Sequence, residues 1–158
     1  MKKPIQILSV MLPLVLAALL LAGCVSKSDP AGSTDAPSEV KLSTPVGELT
    51  LPERWGDAVT VEDVSSDEQF LARFNGKVDD AEALLFELSI GENGAGYLIG
   101  SAPDASGTPQ PIWLEIREIE PTDTWTEEQT AQMNDLQEGV NDLLDQFYSL
   151  DGFEKAEN

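Results

Sequence analysis

A single thiol is the most reactive side chain of this sequence. Cys24 is the only cysteine among 158 residues, and the small residue Gly23 stands directly before it. Lys2 and Lys3 give the chain a positive start, and a run of mainly apolar residues from 5 to 20 follows. A positive start, a short apolar run and small residues are typical of a secretory signal peptide. The run is shorter than the roughly 20 residues of a membrane-spanning helix, and a buried core cysteine is not expected directly after a signal.

Leu21 to Cys24 resemble the lipobox of bacterial lipoproteins, a Leu, small, small, Cys pattern that this chain matches at all four positions. The resemblance implies cleavage between Gly23 and Cys24, with a diacylglycerol thioether and acyl chains such as palmitate on Cys24. Residues 1–23 are then the signal peptide. The mature protein is expected at the cell membrane, anchored through the lipid on Cys24 and facing away from the cytoplasm, because two or more acyl chains hold a protein stably in a bilayer.

Carboxylates are the second group of side chains that could bind a ligand or take part in catalysis. Asp135 and Glu138 are three residues apart, as are Asp142 and Asp145, so each pair shares one face of a helix. Paired carboxylates bind calcium or share a proton in catalysis. The alternative interpretation is a solvated acidic face. These four residues are weak candidates for a divalent cation site, since no loop has the spacing of an EF-hand.

The composition excludes several other functions. The chain has no histidine and no cysteine after Cys24, which removes imidazole-based catalytic triads, disulfides and thiolate metal sites. Without Lys2 and Lys3, which leave with the signal, seven basic residues stand against 29 acidic ones, a net charge of −22. Such a surface repels phosphates, so nucleic acid binding is not expected. A small domain with one helix offers little wall for a substrate cleft, so we expect neither an enzyme nor a cofactor.

Aromatic side chains are the candidates for contact with a partner. Trp113 is predicted to face away from the apolar side of its strand, beside Glu115 and Arg117. It is either covered by a loop or exposed on a binding surface. If it is exposed, Trp113 is the first choice for a contact residue, with Tyr97 and Arg117 next.

The chain divides into three segments. Residues 25–39 are rich in Ser, Asp, Ala, Pro and Gly and contain no aromatic residue, so with the lipidated Cys24 they form a predicted flexible tether, residues 24–39. Its root-mean-square reach is roughly 20 Å. Residues 40–158 are long enough for one domain with its own core.

Six short segments of this domain read as strands, because apolar and polar residues alternate along them or turn residues bound them. They are residues 47–51, 58–64, 69–75, 82–90, 97–101 and 112–119. Asn75 and Gly76 predict a turn, residues 91–96 a hairpin connection and residues 102–111 a surface loop. Along 82–90 the alternation places Leu84 on the same face as the apolar residues at 86, 88 and 90, with Glu87 opposite.

A long helix closes the domain. Thr126 to Gln129 match a capping box, and apolar residues then recur at helical spacing, namely Met133, Leu136, Val140, Leu143, Leu144, Phe147 and Leu150. The predicted class is α+β: an antiparallel sheet of five to six strands with a long C-terminal helix packed on one face.

Thr44 to Trp55 resemble the opening of small lipoproteins of Gram-positive gut bacteria, in which a TP-x-G-x-L-x-x-P-x-x-W pattern follows a lipobox and a tether. The order of strands and final helix is also similar to the Mog1/PsbP-like fold. That resemblance implies a binding or assembly module and carries no catalytic residue. We therefore expect a lipid-anchored, non-catalytic accessory module for a protein or polymer partner. The alternatives are a carboxylate-based calcium binder and, less favoured, a small hydrolase.

Overall fold

A computed structural model describes residues 39–157 of the chain. The signal peptide, Cys24 and the tether up to residue 38 lie outside the described residues, so their assignments stay predictions. The domain is α+β, as expected: a six-stranded antiparallel sheet, a separate two-stranded hairpin and a C-terminal helical segment packed on the sheet. No helix among the described residues has both the length and the apolarity needed to cross a bilayer.

The described elements alternate between short strands and tight connections before two consecutive helices. In chain order they are β1 (Lys41–Thr44), β2 (Gly47–Thr50), a 3-10 helix (Glu53–Ala58), β3 (Val59–Asp63), β4 (Phe70–Val78), β5 (Ala81–Ile90), β6 (Tyr97–Pro103), β7 (Pro109–Ile116), α1 (Glu127–Glu138), α2 (Val140–Tyr148) and β8 (Glu154–Lys155). The large sheet has the order β3-β4-β5-β7-β6-β8, with every neighbouring pair antiparallel.

The turn predicted at Asn75 and Gly76 is wrong. β4 continues through both residues to Val78, and the chain reverses at Asp79, whose φ is 54°. Gly76 faces the core, where a Cβ would overlap the side chains of Met133 and Leu85. The glycine therefore makes room for close packing and does not mark a reversal.

A β-bulge lies opposite this point and changes which residues of β5 face the core. Phe74 pairs with Phe86, but the next residue of β4, Asn75, pairs with Leu84. Leu85 is the extra residue and is fully buried, whereas Leu84 is only partly buried. The prediction that Leu84 shares a face with Phe86 is thus wrong, because the bulge breaks the two-residue alternation.

The core lies between one face of the sheet and the helical segment. Phe74 and Phe86 stack with ring centroids 4.3 Å apart, and Trp55 of the 3-10 helix packs on both. The predicted helical stripe faces this core, with Met133 and Phe147 fully buried. Burying apolar area of this kind contributes about 25 cal/mol per Å², so it is the main source of the domain's stability.

Helix and loop boundaries depart from the predictions in three places. The capping box is present, with Thr126 and Gln129 exchanging hydrogen bonds, but the helical segment is divided at Gly139 into α1 and α2. The loop predicted at 102–111 is only 104–108, because β6 and β7 pair as far as Pro103 and Pro109. Neither β1 nor β8 was predicted, since each is short and lacks a clear alternation.

Candidate functional site

The large sheet has a face that the helices leave uncovered. Met133 of α1 packs on Gly76 and Leu85, and Trp55 packs on Phe74, so these elements cover the same side of the sheet. Within residues 39–157, no helix packs on the opposite side. We call that side the open face. Side chains that alternate away from the core project from it.

One row of residues crosses the open face from β4 to β6. Leu71 pairs with Ser89, Ser89 with Trp113, and Trp113 with Leu98. Because directly paired residues point to the same side of a sheet, these four side chains form one line across four strands. We call it the apolar row. Ser89 is buried between its larger neighbours, while the other three side chains keep some exposure.

A second row, two residues further along the strands, carries charge. Glu62 pairs with Arg73, Arg73 with Glu87, and Glu87 with Glu115. Arg117, just beyond the end of β7, reaches back into this line. We call these five residues the charged row.

Glu87 is the centre of the charged row. Its side chain is 11% exposed and lies between two guanidinium groups. Arg73 Nε donates to Glu87 Oε1 at 2.8 Å, and Arg117 Nη2 donates to Glu87 Oε2 at 2.5 Å. Arg117 Nη1 also lies 3.1 Å from Glu115 Oε1. Both carboxylate oxygens of Glu87 are thus engaged, and charge-assisted bonds of this kind fix the position of both partners.

These contacts change the acidity of the groups. The pKa of Glu87 is lowered, chiefly by the hydrogen bond from Arg73 and then by Arg117, against the opposing effect of burial. The pKa values of Arg73 and Arg117 are raised, in each case chiefly by the hydrogen bond to Glu87. A general acid needs a raised carboxyl pKa, so the electrostatics of Glu87 are those of a structural ion pair.

Charge is distributed unevenly over the domain. Residues 39–157 contain 27 acidic and six basic residues. On the open face of β3, β4, β5 and β7, with Arg117, four acidic residues meet three basic ones, a net charge of −1. The remaining described residues carry 23 acidic and three basic residues, a net charge of −20. The open face therefore repels an anionic macromolecule less than the rest of the domain, taken as a whole, does.

Trp113 is covered by a loop, the first of its two predicted alternatives. Its Nε1 donates to the carbonyl of Gly91 at 3.0 Å, and Gly94 lies directly on the indole, where a Cβ would overlap the ring. The loop of residues 91–96 therefore covers one corner of the open face. Trp113 contributes to the apolar row through its partly buried side chain, not as an exposed aromatic platform.

The other two predicted contact residues lie on different sides of the sheet. Arg117 joins the charged row of the open face. Tyr97 pairs with Leu114 and so points to the helix side, where it is 75% exposed. Ile116, two residues after Leu114 on β7, is also exposed there. The structure thus places Tyr97 on the side of the sheet opposite Trp113 and Arg117.

The four candidate metal ligands are on the helical segment. Asp142 forms an ion pair with Arg54, with Oδ2 and Nη2 3.0 Å apart. Asp135 and Glu138 line a shallow depression together with Arg54. In the part of the chain that the structure describes, no three residues among Asp, Glu, His and Cys are grouped closely enough to hold a metal ion.

Sequence reasoning missed the central pair of the site, Arg73 and Glu87. Alternation alone places Glu87 on the face of the sheet away from the apolar residues of β5, but the register between β4 and β5 is what pairs it with Arg73.

A comparison of the chain with known protein families, curated proteins and solved structures found no match.

Proposed function

We propose that this chain is a lipoprotein, anchored through a lipid on Cys24 to the extracytoplasmic face of the cell membrane. Its domain acts there as a non-catalytic binding or accessory module that contacts a partner through the open face. The contact surface is inferred from two adjacent rows, one apolar and one with charges of both signs, on a sheet that the described helices leave uncovered.

The composition of the open face favours a protein partner over a polysaccharide. Sugar rings stack on exposed aromatic faces, but Trp113 is the aromatic residue of the apolar row, and Gly94 covers its indole. Leu71 and Leu98 offer aliphatic contact, and Arg73 is 44% exposed with terminal N–H groups that can donate to a partner. Arginine is enriched in protein interfaces, so a partly exposed arginine beside apolar contact area favours a protein partner.

The positions of the perturbed carboxylates favour a role without catalysis. Asp63, Glu87 and Asp104 have lowered pKa values, and each shift is explained by hydrogen bonds within the domain. Asp104 accepts bonds from three residues of its own loop and strand, namely Ser106, Thr108 and Gln110. A raised carboxyl pKa beside a second carboxylate would instead favour a hydrolase.

Mass spectrometry of the N-terminal peptide tests the anchor. The chain, expressed in a bacterial host, is expected to begin at Cys24 and to carry the mass of a diacylglycerol and its acyl chains. A Cys24→Ala variant is the control and takes up no labelled palmitate. An unmodified, uncleaved chain in the soluble fraction would refute the anchored lipoprotein.

Photo-cross-linking in intact membranes tests the contact surface. A benzophenone amino acid at Leu84, beside the charged row, is expected to form adducts, while the same probe at the exposed helical residue Gln132 forms none. Equal labelling from the two positions, or labelling from Gln132 alone, would contradict a binding role for the open face.

A further inference from the structure

We infer that Asn93 is a site of self-modification, at which its side chain reacts with the backbone nitrogen of Gly94 and is converted to isoaspartate. The reaction lengthens the backbone of the loop of residues 91–96 and so loosens the cover that this loop forms over Trp113. This inference goes beyond the proposed function, because it depends neither on the lipid anchor nor on a partner.

The sequence contains two Asn-Gly pairs, Asn75-Gly76 and Asn93-Gly94. Asparagine is a thermolabile residue, because the nitrogen of the following residue can attack its side-chain carbonyl carbon and close a succinimide ring. Glycine in that following position favours the attack, since it has no side chain and its backbone turns freely. The two pairs share this local chemistry, so the structure around each pair decides which of them reacts.

Strand pairing protects the first pair. Gly76 is buried inside β4, where it pairs with Val59 of β3 on one side and with Ala83 of β5 on the other. Turning its nitrogen toward the side chain of Asn75 takes the backbone out of the extended conformation that both pairings need. Ring closure at Asn75 therefore requires local opening of the sheet, which costs free energy.

The second pair has no such protection. Asn93 and Gly94 lie in the loop between β5 and β6, outside any strand or helix, and Asn93 is exposed. Among the described residues, no hydrogen bond holds the side-chain amide of Asn93 or the N–H of Gly94. Gly94 is in van der Waals contact with the indole of Trp113. Opening a loop of this kind costs less than opening a paired strand, so Asn93 is the reactive asparagine.

The chain and water supply every atom of the reaction. The Gly94 nitrogen loses its proton and forms a bond to Cγ of Asn93, while the bond from Cγ to Nδ2 breaks and ammonia leaves. Water then adds to one of the two carbonyl groups of the ring. Addition at Cγ gives aspartate, and addition at the backbone carbonyl carbon of residue 93 gives isoaspartate, whose main chain runs through Cβ and Cγ. No group is oxidised or reduced.

Isoaspartate displaces Gly94 from the indole. The loop joins β5 to β6, and β7 lies between those two strands, so the loop crosses β7 where Gly94 lies on Trp113. Because the fit is so close that a Cβ on Gly94 would overlap the ring, an extra backbone atom between residues 93 and 94 cannot be added without moving the loop. The modified loop therefore exposes more of Trp113 and enlarges the apolar row of the open face.

Peptide mass spectrometry of the purified full chain tests the chemistry. The folded chain is kept at mildly alkaline pH, which favours loss of the Gly94 proton, and conversion of each asparagine to the acid is followed over time. We expect at least about tenfold more product at Asn93 than at Asn75, because reaction inside a strand waits for local opening. In denaturant the two pairs should react at similar rates. Equal conversion in the folded chain, or a ratio that denaturant leaves unchanged, overturns the site.

Quenching of tryptophan fluorescence by acrylamide tests the loosened cover. Chain in which isoaspartate has formed is expected to be quenched more than fresh chain. The increase should disappear in a Trp113→Phe variant and persist in Trp125→Phe. Asn93→Asp is the matched control, because it adds the same charge without lengthening the backbone, and it should be quenched like fresh chain. Unchanged quenching of chain that contains isoaspartate overturns the loosened cover, as does equally strong quenching of Asn93→Asp.

Discussion

The indole of Trp55 lies against the backbone of Gly139. Trp55 Nε1 donates to the carbonyl of Leu136 at 2.8 Å, and a Cβ at position 139 would overlap the indole ring. Gly139 is also the residue that divides α1 from α2. The tryptophan of the Pro-x-x-Trp segment therefore joins the 3-10 helix to the middle of the helical segment, and glycine at 139 makes this close approach possible.

Gly139→Ala is expected to destabilise the domain by about 1–3 kcal/mol, because the new methyl group overlaps a rigid, buried ring. Helix propensity alone predicts the opposite sign, a stabilisation of about 1 kcal/mol. Denaturant unfolding of the full chain measures the difference. Trp55→Phe is the control background, because its smaller ring leaves room for the new methyl group. Gly139→Ala should therefore lower the free energy of unfolding less in that background, and a double-mutant cycle should show that positions 55 and 139 are coupled. A stabilised Gly139→Ala variant would contradict this packing.

Glu87→Gln is expected to lower the free energy of unfolding by about 1–3 kcal/mol, because it removes the charge that both Arg73 and Arg117 contact. Glu82→Gln is the control on the same strand and the same face. Its partner Lys77 lies 2.6 Å away, but both side chains are more than half exposed, so the expected change is below about 1 kcal/mol. Equal losses for the two variants, measured by urea unfolding, would show that Glu87 has no special role.

The free energy of unfolding is expected to fall at acidic pH in part because Glu87 becomes protonated. Its pKa in the folded domain lies below the ordinary value of 4.5, so the unfolded chain binds a proton more readily. The stabilisation from this group is therefore complete above about pH 4.5 and is lost as the pH falls through the lowered pKa. Below pH 4.5, the difference in unfolding free energy between wild type and Glu87→Gln should shrink. A difference that stays constant with pH would contradict the lowered pKa.

Asp104 holds the loop between β6 and β7, and its titration can be observed directly. Its pKa is lowered to about 2, chiefly by the hydrogen bond from the Ser106 hydroxyl and then by the backbone N–H of Thr108. In NMR spectra the amide shifts of Ser106 and Thr108 should therefore titrate together near pH 2. Asp104→Asn removes that titration, whereas Asp123→Asn, in a different exposed loop, leaves it unchanged. A titration midpoint near the ordinary aspartate value would contradict the hydrogen bonds by which Asp104 holds this loop.

Gln129→Glu is expected to destabilise the domain by about 1–2 kcal/mol, although glutamate is common at this position of a capping box. Gln129 Nε2 donates to Asp80 Oδ1 at 2.8 Å, which ties the start of α1 to the turn between β4 and β5. The substitution replaces that donor by a second carboxylate in a buried position. Adding Asp80→Asn supplies a donor again and should restore most of the stability. Thermal unfolding of the single and double variants checks this, and a neutral single variant would contradict it.

The fold class was predictable because its main signals are local. The capping box, the apolar stripe of the helix and the alternation in β3 depend on residues only a few positions apart, and the structure has all of them. The turn prediction failed at Gly76 because glycine occurs both in turns and where another residue packs closely against the backbone. The residue that packs there is Met133, which is 57 positions away in the sequence and so is not visible to a local pattern. The predicted roles of Cys24 concern residues outside the described domain and stay predictions.

Which faces of the helix and of most strands are apolar could be read from the amino-acid sequence, because side chains repeat every two residues in a strand and about every 3.6 in a helix. Three other features could not: Leu85 replaces Leu84 in the core, Glu87 lies between Arg73 and Arg117, and Gly94 covers Trp113. Each of these depends on the register between strands or on a loop folding back over a distant residue. Such contacts are selected by the packing of the whole domain, which no local window of the sequence contains.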